Sequence, residues 1–211
     1  TVDEAHCISQ WGQDFRPSYL KITEFVKNLA KRPIVSAFTA TATGEVKDDI
    51  LCMLQQIRPE VVVTGFDRKN LYFSVEGMKR KDDYILDYIQ QHPTDSGIIY
   101  CATRKNVDKL FELLFRQGIP VTKYHAGLDT ELRKKNQEDF IYDRTPVIVA
   151  TNAFGMGIDK SNVRYVIHYN MPQSMENYYQ EAGRAGRDRE PAQCILLFSA
   201  QDIMIDKLLL E

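Results

Sequence analysis

Short runs of β-branched and other apolar residues recur along this chain, each followed by turn-forming residues and an amphipathic stretch, and this alternation limits the possible folds most. Apolar residues at three-and-four spacing predict helices between the runs, and Gly118 is suited to ending one of them. Strands that alternate with helices predict an α/β fold, a parallel sheet with helices on both faces. The predicted strands cover residues 34–38, 61–64, 97–101, 121–124, 147–150, 163–169 and 194–198, and the predicted helices cover 82–91, 105–117, 132–142 and 174–183.

Polar segments follow several of the predicted strands. In open parallel sheets, ligands bind outside the carboxyl ends of the strands, so we expect the functional residues there. These segments are residues 39–43, 102–104, 125–128 and 151–157. The polar, turn-prone segment 65–70 predicts a domain boundary. Residues 1–66 then supply only part of an α/β domain, whereas residues 67–211 supply a complete one.

The net charge of the chain, -2 at pH 7, does not by itself indicate a nucleic-acid-binding protein. Phosphate binding has to come from local basic clusters, each of which can equally be a solvated face. The clusters are residues 79–81, 133–135 and 184–189.

The sequence contains no sign of a membrane span or a metal centre. No apolar run approaches the ~20 residues that a spanning helix needs, so we expect no membrane association, and we find no signal peptide. The four cysteines and four histidines are scattered, without a CxxC pair or zinc-finger spacing. We expect free thiols in a reducing cytoplasm and no metal site built from protein ligands alone.

Two adjacent carboxylates and an imidazole follow an apolar residue at the start of the chain, at Asp3, Glu4 and His6. In nucleotide hydrolases, such an aspartate holds Mg²⁺, usually through water, while the glutamate orients or deprotonates the attacking water. A surface carboxylate pair is the alternative interpretation. The hydroxyl-rich segment 36–43 could hydrogen-bond these carboxylates, or Thr41 or Thr43 could cap a helix.

The segment 7–17 combines aromatic, amide and basic side chains in a loop marked by glycine and proline. Aromatic side chains in a loop can stack on unpaired bases, each contributing ~1 to 3 kcal/mol, and an arginine can contact phosphate. Trp11, Phe15 and Arg16 are therefore candidate DNA-binding residues, with Gln13 beside them. The alternative is that Trp11 and Phe15 fill the core beneath the loop.

Three further polar segments follow predicted strands in the second half of the chain. Thr103 and Arg104 begin a predicted helix, where backbone amides can bind phosphate. His125 is a candidate DNA-channel residue or a packed histidine. The candidates after residue 150 are Thr151 for a DNA phosphate, Gly155 and Gly157 for close backbone approach, and Asp159 for the nucleotide ribose.

The last motif, residues 180–188, reads QEAGRAGRD. Arg184 and Arg187 are three residues apart, so at helical pitch they would point the same way and could bind a γ-phosphate on two sides, with Gln180 nearby. Ordinary salt bridges are the alternative for such an arginine pair.

In this order, the motifs from Asp3 to Asp188 resemble those of the RecQ family of superfamily-2 DNA helicases. The segments DEAHCISQWGQDFRPSY and QEAGRAGRD distinguish that family from other superfamily-2 motors. The resemblance implies two RecA-like lobes of the P-loop NTPase type, one partial (1–66) and one complete (67–211). It also implies ATP and Mg²⁺ as cofactors, with Asp3 as metal ligand, Asp3, Glu4, Gln180, Arg184 and Arg187 as catalytic residues, and His6, Gly157 and Asp159 at the nucleotide.

The same resemblance implies a motor that moves 3′ to 5′ on single-stranded or forked DNA in recombination and repair, and we expect it to be a monomer. The lack of targeting signals and the compact loops predict a location in the bacterial cytosol or nucleoid. The 211 residues contain no GxxxxGK[ST] phosphate loop, so we expect that loop upstream, a zinc module downstream, and no ATP turnover by the chain alone. The alternatives are another superfamily-2 motor, such as an RNA helicase or duplex translocase, and a non-catalytic nucleic-acid-binding module.

Overall fold

A computed structural model describes residues 1–9, 15–40, 42–63, 67–77, 80–155 and 158–199. The chain divides into two compact units, Thr1–Phe66 and Asp67–Glu211. None of the helices in the described ranges is long and apolar enough to cross a membrane.

The first unit contains a short 3₁₀ helix, Ala5–Ile8, and two α-helices, α1 (Pro17–Lys27) and α2 (Gly44–Met53). Val2 pairs with Ala37 in a parallel bridge, and Val2 N donates to Ser36 O at 2.7 Å. The apolar core of the unit is built from the segment that begins the chain and from α2. Its buried members are Val2, Ala5, Ile8, Val46, Ile50 and Leu54.

Two strand predictions in this unit were wrong within the described residues. The run 34–38 contributes only the bridge at Ala37, and residues 61–63 form no strand and are exposed. A strand exists only where a neighbouring segment satisfies its backbone groups. Residues 1–3 provide a very short partner for the first run, and no described segment pairs with the second.

The second unit is a six-stranded, all-parallel sheet in the order β1-β6-β5-β2-β4-β3. Its strands are β1 (Leu71–Gly77), β2 (Ser96–Tyr100), β3 (Val121–Tyr124), β4 (Val147–Ala150), β5 (Val163–His168) and β6 (Ala192–Phe198). Its helices are α3 (Lys81–Gln91), α4 (Arg104–Arg116), α5 (Thr130–Ile141) and α6 (Met175–Ala182). The predicted α/β class is confirmed.

The two faces of this sheet support separate apolar cores, because successive side chains of a strand point to opposite faces. Ile98 and Ile148 pack with Phe140 of α5 and Ala182 of α6. On the other face, Ile99, Val147 and Val149 pack with α3 and α4 through residues such as Ile85 and Leu110. Gly118 ends the α4 region with φ +74°, in the left-handed conformation expected of a glycine stop.

Strand β1 was missed by the sequence analysis. It pairs in parallel along its whole length with β6, from Leu71 opposite Ala192 to Gly77 opposite Phe198. As an edge strand it leaves Tyr72, Phe73 and Val75 more than half exposed, and its polar residues interrupt the apolar run that a buried parallel strand would show. Pairing with a segment about 120 residues away makes it a strand.

Candidate active site

The carboxyl ends of β2, β4 and β5 lie side by side and place three polar segments at one edge of the second unit. The backbone connects these strand ends directly: Cys101 N donates to Ala150 O at 2.8 Å, and Tyr169 N donates to Tyr100 O at 2.8 Å. Ala102 N donates to the side-chain oxygen of Asn170 at 3.1 Å. The edge at which the sequence predicted functional residues is therefore a continuous hydrogen-bonded surface.

Thr103 and Arg104 begin α4 at this edge. The Thr103 hydroxyl accepts from Asn106 N at 3.2 Å and so caps the helix, while Arg104 is its exposed first residue. A helix N-terminus with a basic side chain beside it suits an anion, because unpaired amides and the helix dipole both favour negative charge.

His125 is buried, with only 5% of its surface exposed, and both of its ring nitrogens are engaged. Nδ1 accepts from Gly127 N at 3.1 Å, so the neutral ring carries its proton on Nε2, which faces Asp108 Oδ1 at 3.3 Å. Lys123 also donates to this carboxylate at 2.6 Å. The hydrogen bond from Lys123 and, after it, the one from His125 lower the pKa of Asp108, against the opposing effect of burial. The ring thus fixes the loop after β3.

The loop after β4 begins at the buried Thr151, whose amide donates to Tyr124 O at 3.1 Å. Gly155 in this loop lies against Arg184: Arg184 Nη1 donates to Gly155 O at 2.5 Å. A Cβ atom at position 155 would collide with the guanidinium. Gly155 therefore permits a close backbone approach, and the group that approaches is an arginine of the same unit.

Arg187 reaches the same loop three residues further along, at Ile158. Its Nη1 donates to Ile158 O at 2.8 Å and lies 3.5 Å from the exposed carboxylate of Asp159. About a third of the Arg187 side chain is exposed, whereas the Arg184 Nε is fully buried and has no hydrogen-bond partner among the described residues.

The prediction that Arg184 and Arg187 lie on one helix was wrong. Helix α6 ends at Ala182, and the two arginines lie in the turn that follows, with Gly186 between them at φ +53°. The turn nevertheless brings both guanidiniums to the loop after β4. Gln180 lies half-buried on α6, just before this turn.

Tyr100 supports the loop after β4, and His168 packs on Tyr100. The Tyr100 hydroxyl donates to Phe154 O at 2.9 Å, and burial raises its pKa although the nearby Arg184 guanidinium opposes that rise. His168 stacks on Tyr100 and pairs through Nε2 with Glu181 at 2.8 Å.

Several residues at this edge have no role predicted from the sequence. Together with Tyr100 and Ala102, they line a small polar pocket, and all of them except Glu181, which lies on α6, follow or end strands, which was the available signal. They are Asn152, His168, Asn170 and Glu181.

In the first unit, the segment after Val2 presents Asp3 and Glu4 to solvent. Asp3 Oδ1 accepts from Glu4 N at 3.0 Å, and Glu4 has the left-handed conformation, φ 47°. Mg²⁺ is usually held by one or two carboxylates with water and substrate phosphates, so an exposed aspartate fits that ion. In the described residues, no three His, Cys, Asp or Glu side chains gather as a metal cluster.

The hydroxyl-rich segment contacts the imidazole of this motif. Thr39 Oγ1 lies 2.9 Å from Nδ1 of the buried His6, which also lies 3.4 Å from Glu4 Oε2. No hydrogen bond to the Asp3 or Glu4 carboxylates from a described hydroxyl of this segment is seen. Thr43 caps α2 by accepting from Val46 N at 3.3 Å, so the capping alternative is confirmed for that residue.

In the aromatic-rich loop, Phe15 is half-buried and Arg16 is exposed immediately before α1. Several residues that the sequence analysis singled out lie outside the described residues. These are Trp11, Gln13, Thr41, Lys79 and Gly157.

Of the basic cluster at 79–81, the two described residues have intramolecular partners. Lys81 is buried and donates from Nζ to Tyr169 O at 2.6 Å, and Arg80 pairs with Asp83. These contacts favour the structural interpretation of that cluster over phosphate binding.

Residues 80–189 match the helicase conserved C-terminal domain family. The chain is 51% identical over 210 residues to the ATP-dependent DNA helicase RecQ of Bacillus subtilis, covering 100% of this chain and 36% of that protein. It is 43% identical to RecQ of Haemophilus influenzae, of which it covers 34%. It is also 45% identical over 207 residues to the putative ATP-dependent RNA helicase R290 of Acanthamoeba polyphaga mimivirus, covering 98% of this chain and 38% of that protein.

Among solved structures, Saccharomyces cerevisiae Dbp5 bound to RNA and ADP BeF3 superposes with a TM-score of 0.73 at 22% identity, covering 98% of this chain and 55% of that one. At that identity the likeness shows the fold alone. The chain spans about a third of the length of the curated relatives it matches.

Proposed function

Because this chain belongs to the helicase family with the conserved C-terminal domain, and within it to the RecQ type, we propose that it is motor sequence of an ATP-dependent DNA helicase. The motor couples ATP hydrolysis to 3′-to-5′ movement along single-stranded DNA and to unwinding. The observation that carries the proposal is the anchoring of two arginines, Arg184 and Arg187, on the loop that follows β4.

ATP hydrolysis places negative charge on the oxygens of the γ-phosphoryl group, and guanidinium groups stabilise that charge. Arg187 is the better placed of the two to meet phosphate, since its side chain is partly exposed and can exchange Ile158 O for a ligand. Arg184 is held against the loop by its hydrogen bond to Gly155 O and, in this proposal, contacts the same γ-phosphate. Gln180 is assigned to the attacking water of the same reaction, and Asp159 is assigned to the ribose of the nucleotide.

Asp3 and Glu4 take the remaining chemical roles in this proposal. Asp3 holds Mg²⁺, which would neutralise phosphate charge, and Glu4 orients or deprotonates the attacking water. His6, whose Nδ1 lies beside Thr39 and Glu4, supports the backbone that presents these carboxylates.

DNA binding is assigned to both units. In the second, the exposed Arg104 and the capped start of α4 contact phosphate, Thr151 contributes from the next loop, and His125 acts by holding its own loop in place because its ring is buried. In the first, Trp11, Phe15 and Arg16 contact unpaired bases.

The decisive test compares ATP hydrolysis by the full-length protein that carries this chain with and without single-stranded DNA. We expect DNA-stimulated turnover, a fall of about 10³-fold in the Arg187→Ala variant, and little change in Arg144→Ala, which removes a surface ion pair with Asp139 and a cation-π contact with Tyr142. The 211-residue chain alone is expected to be silent. Equal turnover by the wild-type protein and Arg187→Ala would contradict the assignment.

An RNA helicase is the second candidate, because one relative of 45% identity carries that description. Contacts to phosphate do not distinguish the two nucleic acids, whereas the 2′-hydroxyl does. Single-stranded DNA and RNA of one sequence should therefore be compared as activators. Stronger stimulation by RNA would favour the second candidate.

The finer parts of the proposal concern the whole protein. They are a forked DNA substrate, a monomeric state, a zinc module beyond residue 211 and a location in the bacterial cytosol or nucleoid. Unwinding of forked against blunt duplexes tests the substrate, light scattering of the full-length protein tests the monomeric state, and metal analysis tests the zinc module.

A further inference from the structure

Two residues at the start of the second unit, Arg68 and Asn70, bind the turn that follows α6. Arg68 Nη2 donates to Gly186 O at 2.7 Å and to Ala185 O at 3.0 Å, and its Nη1 donates to Gly183 O at 3.3 Å. Asn70 Nδ2 donates to Gly186 O at 2.9 Å and to Glu190 O at 2.8 Å. Two side chains from one short segment thus bind four carbonyl oxygens.

The turn needs such donors because a helix leaves its last carbonyl groups without partners inside the helix. Helix α6 ends at Ala182, and the backbone then reverses through Gly186 at φ +53°. A cationic group beside a helix C-terminus is also favoured by the helix dipole. Arg68 supplies both the donors and the charge, while Asn70 occupies the space beside Gly186 that a Cβ atom would need.

This turn is the segment that carries Arg184 and Arg187. Their guanidiniums reach Gly155 O and Ile158 O on the far side, and the backbone is tied to the sheet by Gly186 N donating to Val163 O at 2.9 Å. Hydrogen bonds at Gly186 from Arg68, from Asn70 and to Val163 therefore fix the base from which both arginines extend. A displacement of that base moves both guanidiniums together.

We propose that Arg68 and Asn70 are positioning residues for ATP hydrolysis, which hold the turn 183–187 so that Arg184 and Arg187 meet the γ-phosphate in register. The inference rests on the proposed function and deepens it. Neither residue reaches the loop at 155–159 through a hydrogen bond in the described structure, so each acts through the arginines. Misplacement of a catalytic group by about 1 Å can lower a rate by about 100-fold.

The test uses the full-length protein and measures kcat and KM for ATP at saturating single-stranded DNA. We expect Arg68→Ala to lower kcat by about 10- to 100-fold with KM changed by less than about 3-fold, since the arginines act on developing charge. Arg68→Lys, which keeps one charged donor, should recover part of the loss. Asn70→Asp, which faces carbonyl oxygens with a carboxylate, should lower kcat as Arg68→Ala does.

The matched control is Arg32→Ala in the first unit. Arg32 also binds two backbone carbonyls after a helix, Leu54 O at 2.9 Å and Gln55 O at 2.8 Å, but it holds no residue assigned to catalysis. We expect this variant to lose similar stability and to keep its kcat. A loss of kcat in both variants would show that Arg68 matters only for folding.

A combined variant separates positioning from an independent effect. If Arg68 acts through Arg184 and Arg187, adding Arg68→Ala to the double variant Arg184→Ala/Arg187→Ala should lower kcat no further. A further fall in kcat by the same factor that Arg68→Ala causes alone would overturn the inference while leaving the proposed function intact. An unchanged kcat in Arg68→Ala would do the same. Absence of ATP turnover in the wild-type protein would instead overturn the proposed function and this inference with it.

Hydrogen exchange gives a readout that does not depend on activity. Peptides covering residues 183–190 should exchange faster in Arg68→Ala than in the wild-type protein, and Arg32→Ala should leave them unchanged. Unchanged protection in Arg68→Ala would also count against a role in holding the turn.

Discussion

Arg184 Nη1 donates to the carbonyl oxygen of Gly155 at 2.5 Å, and its guanidinium fills the space beside Gly155 where any other residue would carry a Cβ atom. The glycine of one motif and the arginine of another, 29 residues apart, are thus a single packed contact. The contact explains why a small residue is needed at position 155 without invoking a ligand.

Replacing Gly155 by alanine should displace the Arg184 guanidinium. Position 155 is not in the left-handed region, so the backbone tolerates the change and the clash is with the side chain. We expect ATP turnover of the full-length protein to fall by about 10- to 100-fold. Gly44→Ala is the control, because a Cβ atom there meets nothing within 4 Å. Full activity of Gly155→Ala would show that Arg184 need not remain in its observed place.

Thr39→Val should destabilise the first unit. The substitution keeps the shape of the side chain and removes the hydroxyl that lies 2.9 Å from Nδ1 of the buried His6. Loss of a partner for a buried polar group costs about 1 to 3 kcal/mol in the free energy of unfolding, measurable by urea titration.

Thr145→Val provides the opposite case for the same substitution. The Thr145 hydroxyl is buried and has no hydrogen-bond partner among the described residues, so its removal should be neutral or stabilising. Equal destabilisation by both substitutions would be inconsistent with the Thr39–His6 contact.

The ion pair at Asp108 predicts a specific pH dependence. The hydrogen bond from Lys123 is the largest influence and lowers the pKa of Asp108 below its ordinary value of 3.8. A carboxyl whose pKa is lower in the folded state stabilises the fold fully above that ordinary value and loses this contribution as the pH falls through the folded pKa. The difference in unfolding free energy between the wild-type chain and Asp108→Asn should therefore be constant near neutral pH and shrink below about pH 4.

Thiol reactivity should distinguish one cysteine from the other three. Cys52 is exposed, whereas Cys7, Cys101 and Cys194 are buried. Burial raises the pKa of the Cys194 thiol to about 12, against an opposing effect of Arg68, and it also raises the pKa of Cys101. Because the thiolate is the reactive form, Ellman's reagent should modify one thiol of the folded chain quickly, and Cys52→Ser should remove that phase. Rapid modification of several thiols would indicate that the core opens.

The sequence by itself determined the class of fold and the edge of the sheet at which the candidate residues of the second unit lie. Runs of β-branched residues separated by three-and-four spacing were enough for β2 to β6 and α3 to α6, because burial on both faces leaves a strong local pattern. Thr103, Thr151 and His125 each follow a predicted strand, and they were expected at one edge because the carboxyl ends of parallel strands lie on the same side of a sheet.

Only the tertiary structure decided which strands pair and what each side chain meets. Local pattern failed at β1, where pairing with β6 creates the strand, and at 61–63, where apolar residues have no described strand partner. It also failed at Arg184 and Arg187, which lie in a turn held by Arg68 rather than in a helix and both donate to the loop after β4. Contacts between residues more than 100 positions apart leave no periodic trace in the sequence, so their energies appear only once the chain has folded.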